Sequence, residues 1–133
     1  VQHNHNAMGL ANWFLDRAGV AEVLYPGLSG HPDHAVASEI MSGFGGMLSI
    51  VLKGGGPAAD AFASALEVAV VAPSLGGVET LVSQPRHTSH INFSDAMRED
   101  MGIPDGFVRI SVGLEAVEDL EEDFGRALDA VKG

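Results

Sequence analysis

Alternation of apolar and polar positions divides the chain into short segments. From about Asn6 to Ala18, Met8, Ala11, Phe14, Leu15 and Ala18 fall on one stripe, which predicts a helix ended by Gly19. Glu22 to Tyr25 reads as a short strand stopped by Pro26-Gly27, and His31 to Met41 as a second helix before Gly43, Gly45 and Gly46. Met47 to Leu52 is apolar apart from Ser49, as expected of a strand. The loop Lys53 to Pro57 leads into a helix with Ala58, Phe62, Ala65, Leu66 and Ala69 on one side, Pro57 suiting its first turn. Two strands are expected near Val68–Val71 and Val78–Val82, separated by Ser74-Leu75-Gly76-Gly77. Ser94 can cap a short helix through Met101. Phe107 to Val112 alternates as a strand, and Val117, Leu120, Phe124, Leu128 and Val131 form the stripe of a last helix.

Strand-to-strand passage through the glycine turn breaks a pure βαβ alternation. The pattern predicts an α/β fold of the α+β type, a small, mainly antiparallel sheet covered by helices. With 133 residues the chain has the size of one domain. No uncharged apolar run reaches membrane length, and a soluble chain with no membrane partner is expected. Cysteine is absent, which excludes disulfides and thiolate metal sites and makes a cytoplasmic setting the default. The polar opening lacks a signal-peptide pattern, and a first methionine at Met8 suggests a piece of something longer. A net charge of −11 argues against a nucleic-acid partner. Seven of the 18 acids lie between Glu115 and Asp129, where they read as the solvated face of the last helix.

The last strand carries the best local chemistry. If Val108, Ile110 and Val112 share one face, Arg109 and Ser111 share the other. A guanidinium held among apolar neighbours can grip a carboxylate with its planar fork, or pair with one of the chain's own acids. The six histidines form the close pairs His3/His5, His31/His34 and His87/His90, but these spacings specify no metal site without further ligands, and none is assigned. Lys53 beside Gly54-Gly55-Gly56 resembles a phosphate cradle yet lacks the Walker spacing, and a flexible turn accounts for it.

Four motifs in one order take the reading further. They are Tyr25-Pro26-Gly27-Leu28 with His31-Pro32, then Gly43 to Ser49, then Ser74-Leu75-Gly76-Gly77-Val78-Glu79-Thr80-Leu81, and last Val108-Arg109-Ile110-Ser111-Val112-Gly113-Leu114-Glu115 with Glu118-Asp119-Leu120. Together they resemble the C-terminal part of the Cys/Met-metabolism, or trans-sulfuration, pyridoxal-phosphate enzymes, which include cystathionine γ-synthase and the cystathionine and methionine γ-lyases. The resemblance implies the small domain of a fold-type-I enzyme, with residues 1–18 leading in from a cofactor domain and residues 19–133 forming the C-terminal domain. It further implies that Ser74 and Arg109 bind the substrate carboxylate. Ser89 stands where the family commonly has a threonine, within Pro85-Arg86-His87-Thr88-Ser89-His90, and keeps its hydroxyl. Pro73 replaces the acid that γ-lyases often carry before the turn.

The resemblance also implies pyridoxal phosphate in the full-length enzyme, an amino-acid substrate cleaved or formed at a C–S bond, and a homo-oligomer, tetrameric in the family. No catalytic or cofactor-binding residue is assigned to this chain. Its lysines, Lys53 and Lys132, lie outside the family's Schiff-base motif. The chain alone is therefore expected to be inactive, with no cofactor bound, and to have the rest of the enzyme as its partner. Read without the resemblance, the same pattern also admits a stand-alone small-molecule-binding or regulatory α/β module, or a structural oligomerisation domain.

Overall fold

A computed structural model of the protein describes residues 2–72 and 76–132, Lys132 by its backbone alone. The elements follow in the order α1 (Gln2–Leu15), β1 (Val20–Leu24), α2 (His34–Ile40), β2 (Met47–Leu52), α3 (Gly55–Ser64), β3 (Val70–Val71), β4 (Leu81–Ser83), a 3-10 turn (Pro85–His87), α4 (Asp95–Asp100), β5 (Phe107–Ser111) and α5 (Val117–Lys132). The strands form one sheet in the order β1-β2-β5-β4-β3. Every pairing is antiparallel except β3 with β4.

The alternation in β2 and β5 decides how the layers stack. Leu48, Ile50 and Leu52 of β2 and Val108 and Ile110 of β5 are buried, while the residues between them are half-buried or point to the other face. Helices α1, α3 and α5 pack on the buried face. Their anchors are three phenylalanines. Phe124 of α5 stacks on Phe62 of α3 at 5.8 Å and 10° and lies 5.4 Å from Phe14 of α1. Burying side chains of this size contributes about 1.5–3 kcal/mol each, which makes this face the principal source of stability.

Three of the boundaries that differ from the sequence expectation have a tertiary reason. Helix α1 begins at Gln2, not near Asn6, because polar residues of its first turns have partners inside the molecule: Asn6 is buried and bonds the chain beyond β5. Helix α3 stops at Ser64, short of Ala69. The fully buried Asp123 of α5 accepts the N–H groups of Glu67, Val68 and Ala69 at 2.8–3.0 Å and draws that segment away from the helix. Strand β4 starts at Leu81, not Val78, since the Val78 carbonyl is taken by the Leu114 N–H at 2.8 Å. Asp123 thus corrects the reading of the Glu115–Asp129 acids as a wholly solvated face. Smaller shifts occur elsewhere: β1 spans Val20–Leu24 instead of Glu22 to Tyr25, α2 starts at His34 instead of His31, β3 is Val70–Val71 alone and β5 ends at Ser111. By contrast, β2 covers the expected residues, Pro57 lies in the first turn of α3, and Ser94 caps α4 by accepting the Met97 N–H.

The connection from β3 to β4 is unusual in kind. Parallel neighbours normally need a long crossover, often a helix. Here residues 72–80 make the passage, and Gly76, at φ +79°, adopts a backbone conformation that side chains disfavour.

Candidate functional site

The face of the sheet opposite α1, α3 and α5 carries the chemistry. Arg109 lies in register between Ser49 of β2 and Ser83 of β4, and Ser111 between Met47 and Leu81. Residues directly paired across antiparallel strands project to the same face, so a row of small hydroxyl side chains flanks the guanidinium. Arg109 is half-buried, while Ser83 and Ser111 are buried.

Beside this row is a cleft of about 250 Å³ lined by His3, Gly46, Met47, Gly76, Ser111 and Val112. The Ser111 hydroxyl accepts the Gly76 N–H at 2.9 Å, which fastens the end of the glycine turn to the strand bearing Arg109. A hydroxyl that accepts one bond still has a proton to donate. His3 Nδ1 lies 2.6 Å from the Val112 carbonyl. A carbonyl can only accept, so Nδ1 carries the hydrogen in this contact. Arg109 is not among the residues lining this cleft; it stands two residues before Ser111 on the same face of the sheet, and a guanidinium fork and a hydroxyl donor on one face suit a small carboxylate.

The chain just beyond β5 is held by two separate elements. The Thr80 N–H donates to Glu115 Oε2 at 2.8 Å and the Thr80 hydroxyl to Glu115 Oε1 at 2.7 Å. The same hydroxyl accepts the Gly113 N–H at 2.9 Å. From the other side, Asn6 Nδ2 of α1 donates to the carbonyls of Gly113 at 3.1 Å and Glu115 at 2.8 Å. Gly113 has no room for a side chain: a Cβ there would come within 2.4 Å of the Val78 carbonyl oxygen.

Of the three residues expected to bind substrate, Arg109 is on this open face. Ser74 lies outside the described residues, two positions before Gly76. Ser89 is on an exposed turn after the 3-10 segment, its hydroxyl 2.8 Å from His90 Nδ1. Sequence reasoning singles out no role for His3, Asn6, Thr80 or Glu115. Thr80 and Glu115 stand inside two of the four motifs, and their polarity beside apolar strand residues is the available signal. Asn6 reads only as the start of the first helix, and His3 only as one of a histidine pair to which no metal is assigned.

The remaining candidates resolve separately. Among the described residues no group of three or more histidine, aspartate or glutamate side chains could hold a metal ion, and no helix is long and apolar enough to cross a membrane. His34 Nδ1 bonds the Pro26 carbonyl, and His87 Nε2 donates to Asp60. Asp60 also pairs with Arg86 at 2.7 Å, and its carboxyl is held below the usual aspartate range, first by the His87 bond, with burial as the next largest effect opposing it, and further by Arg86 and Gln84. Lys53 is exposed at the far end of β2, six residues from Met47 and so about 20 Å along the strand from the cleft. It does not fit the role of a Schiff-base anchor for a cofactor beside Arg109.

Comparison with known proteins agrees on one relationship. The family described as Cys/Met metabolism PLP-dependent enzyme matches residues 1–129. The chain is 42% identical over 127 residues to a cystathionine beta-lyase of Coxiella burnetii, covering 96% of this chain and 33% of that protein. It is 40% identical to a cystathionine gamma-synthase of Mycobacterium tuberculosis, with 96% of this chain and 32% of that protein covered. The crystal structure of cystathionine gamma synthase from Xanthomonas oryzae pv. oryzae in complex with aminoacrylate and cysteine superimposes with a TM-score of 0.92 at 39% identity, over 98% of this chain and 34% of that one. The chain spans about a third of the length of the relatives it matches.

Proposed function

Since the chain belongs to the Cys/Met-metabolism pyridoxal-phosphate-dependent enzymes, we propose that its open sheet face is the carboxylate-binding wall of an active site completed by the rest of a longer enzyme. That enzyme makes or breaks a C–S bond at the β or γ carbon of a sulfur amino acid. When bound, pyridoxal phosphate supplies the electron sink for chemistry at Cα. The lysine that holds it belongs to the part of the enzyme outside this chain, because neither chain lysine suits the role. The chain alone is accordingly inactive.

The observation that carries the reading is the placement of Arg109, in register between Ser49 and Ser83 and two residues from the Ser111 hydroxyl that fixes the glycine turn. Arg109 takes the substrate carboxylate with its planar fork, and Ser74 and Ser89 contribute hydroxyls to the same end of the substrate. Holding the carboxylate fixes the orientation of the other bonds at Cα, which is how a domain without the cofactor governs the reaction. Residues 1–18 lead in from the cofactor domain, while Ala7, Leu10, Ala11 and Phe14 of that helix rest in the core of this one. Assembly into a cytoplasmic homotetramer belongs to the same reading.

In the full-length enzyme, Arg109→Ala is expected to lower kcat/KM by the equivalent of about 2–5 kcal/mol, the cost of truncating one partner of a buried charged pair. Arg109→Lys should recover part of this, since an ammonium lacks the fork. Steady-state kinetics decide: an alanine variant within twofold of wild type rejects the assignment.

A further inference from the structure

Among its described residues the passage from β3 to β4 contains no helix, and residues 76–79 are exposed. A glycine-containing segment of this kind has many conformations of similar energy unless something outside it selects one. The selection comes at its end. Thr80 is fully buried, and three hydrogen bonds join its N–H and hydroxyl to Gly113 and to both oxygens of Glu115. Bonds to an ionised carboxylate are the short, strong class, and two from one residue also fix its orientation.

The place where this grip acts matters. Gly113 and Glu115 continue directly from β5, four and six residues after Arg109. The carbonyls on either side of this stretch are tied to α1 by Asn6, so the carboxylate is presented from an anchored piece of backbone. Gly76, four residues before Thr80, bonds Ser111 on the same strand. The turn and the guanidinium are thereby referred to one rigid element. A pair serving stability alone gains little from being polar, since well-packed apolar residues of similar volume do as well or better.

We propose that Thr80 and Glu115 are positioning residues for the carboxylate site, setting the Gly76-Gly77 end of the passage against the strand that bears Arg109 so that substrate meets both at once. This rests on the carboxylate-binding reading of Arg109. The test is the KM-against-kcat split in the full-length enzyme. Thr80→Val keeps the shape and removes the hydroxyl; it should raise KM for the amino-acid substrate at least tenfold while kcat falls less than threefold. Thr80→Ser, which keeps the hydroxyl, should restore KM to within threefold of wild type. Glu115→Gln, which keeps one acceptor, should fall between them and serves as the test if the valine variant does not fold. Arg109→Ala is measured alongside. If Arg109→Ala impairs KM while Thr80→Val and Glu115→Gln leave it unchanged, the positioning role is overturned and the carboxylate reading stands. If Arg109→Ala leaves KM unchanged, both are overturned.

Discussion

Two faces of one sheet are built from alternate residues of the same strands. On one, Leu48, Ile50, Val108 and Ile110 disappear beneath α1, α3 and α5; on the other, Met47, Ser49, Arg109 and Ser111 meet no such helix layer among the described residues. The first face gains its free energy from apolar area removed from water. The second is specified by hydrogen bonds and a cation, which contribute direction more than net stability. The difference teaches where a domain of this size can carry binding groups without weakening itself. The helix layer supplies the stability, and the strand backbone transmits it as rigidity to the residues pointing the other way.

The largest expected effect lies on the covered face. Phe124→Ala removes a ring in contact with both Phe62 and Phe14 and should cost about 3–5 kcal/mol of unfolding free energy, measured by denaturant titration. Ser49→Ala, on the open face beside Arg109, should change it by less than about 0.5 kcal/mol. Comparable losses for the two would show that the faces do not divide stability and binding as described.

Much of this division is legible in the sequence. The alternation of Val108, Ile110 and Val112 against Arg109 and Ser111 assigns both faces by local pattern alone, and the stripe of Leu120, Phe124 and Leu128 identifies the covering helix. What periodicity misses are polar residues whose partners are distant in sequence. Asn6 bonds residues more than a hundred positions away, and Asp123 captures three backbone N–H groups between α3 and β3. A hydropathy pattern counts both as surface. Thr80 and Glu115 are visible as members of motifs, but their mutual contact depends on the β4–β5 register, which no local rule supplies. The parallel pairing of β3 with β4 is likewise invisible, because two exposed valines at an edge carry no register information.

A smaller effect tests the link between the helix layer and the chain beyond β4. Asp60 of α3 accepts bonds from Arg86 and His87 of the 3-10 turn, which hold its carboxyl below the usual aspartate range. A depressed folded-state value means that the charged form favours folding above the unfolded aspartate value, and that this contribution disappears as pH falls through the folded value. About half of the Asp60 side chain is exposed, so water screens the pair. Asp60→Asn should therefore lose less than about 1 kcal/mol near pH 7 and nothing once wild type is itself protonated at strongly acidic pH. Urea titrations across that range check the sign; a loss that persists in acid would show that packing, not charge, joins the two elements.

The central claim is that the open face reads a carboxylate through Arg109. Its most direct measurement compares kcat/KM for the amino-acid substrate and for its α-carboxamide, in the full-length wild-type enzyme and in Arg109→Ala. A fork built for a carboxylate discriminates against a neutral amide, and the preference should exceed about tenfold, equivalent to ~1.4 kcal/mol, in wild type and collapse toward unity in the variant. An acid-to-amide ratio that is the same in both enzymes would contradict the account, whatever the absolute activity of the variant.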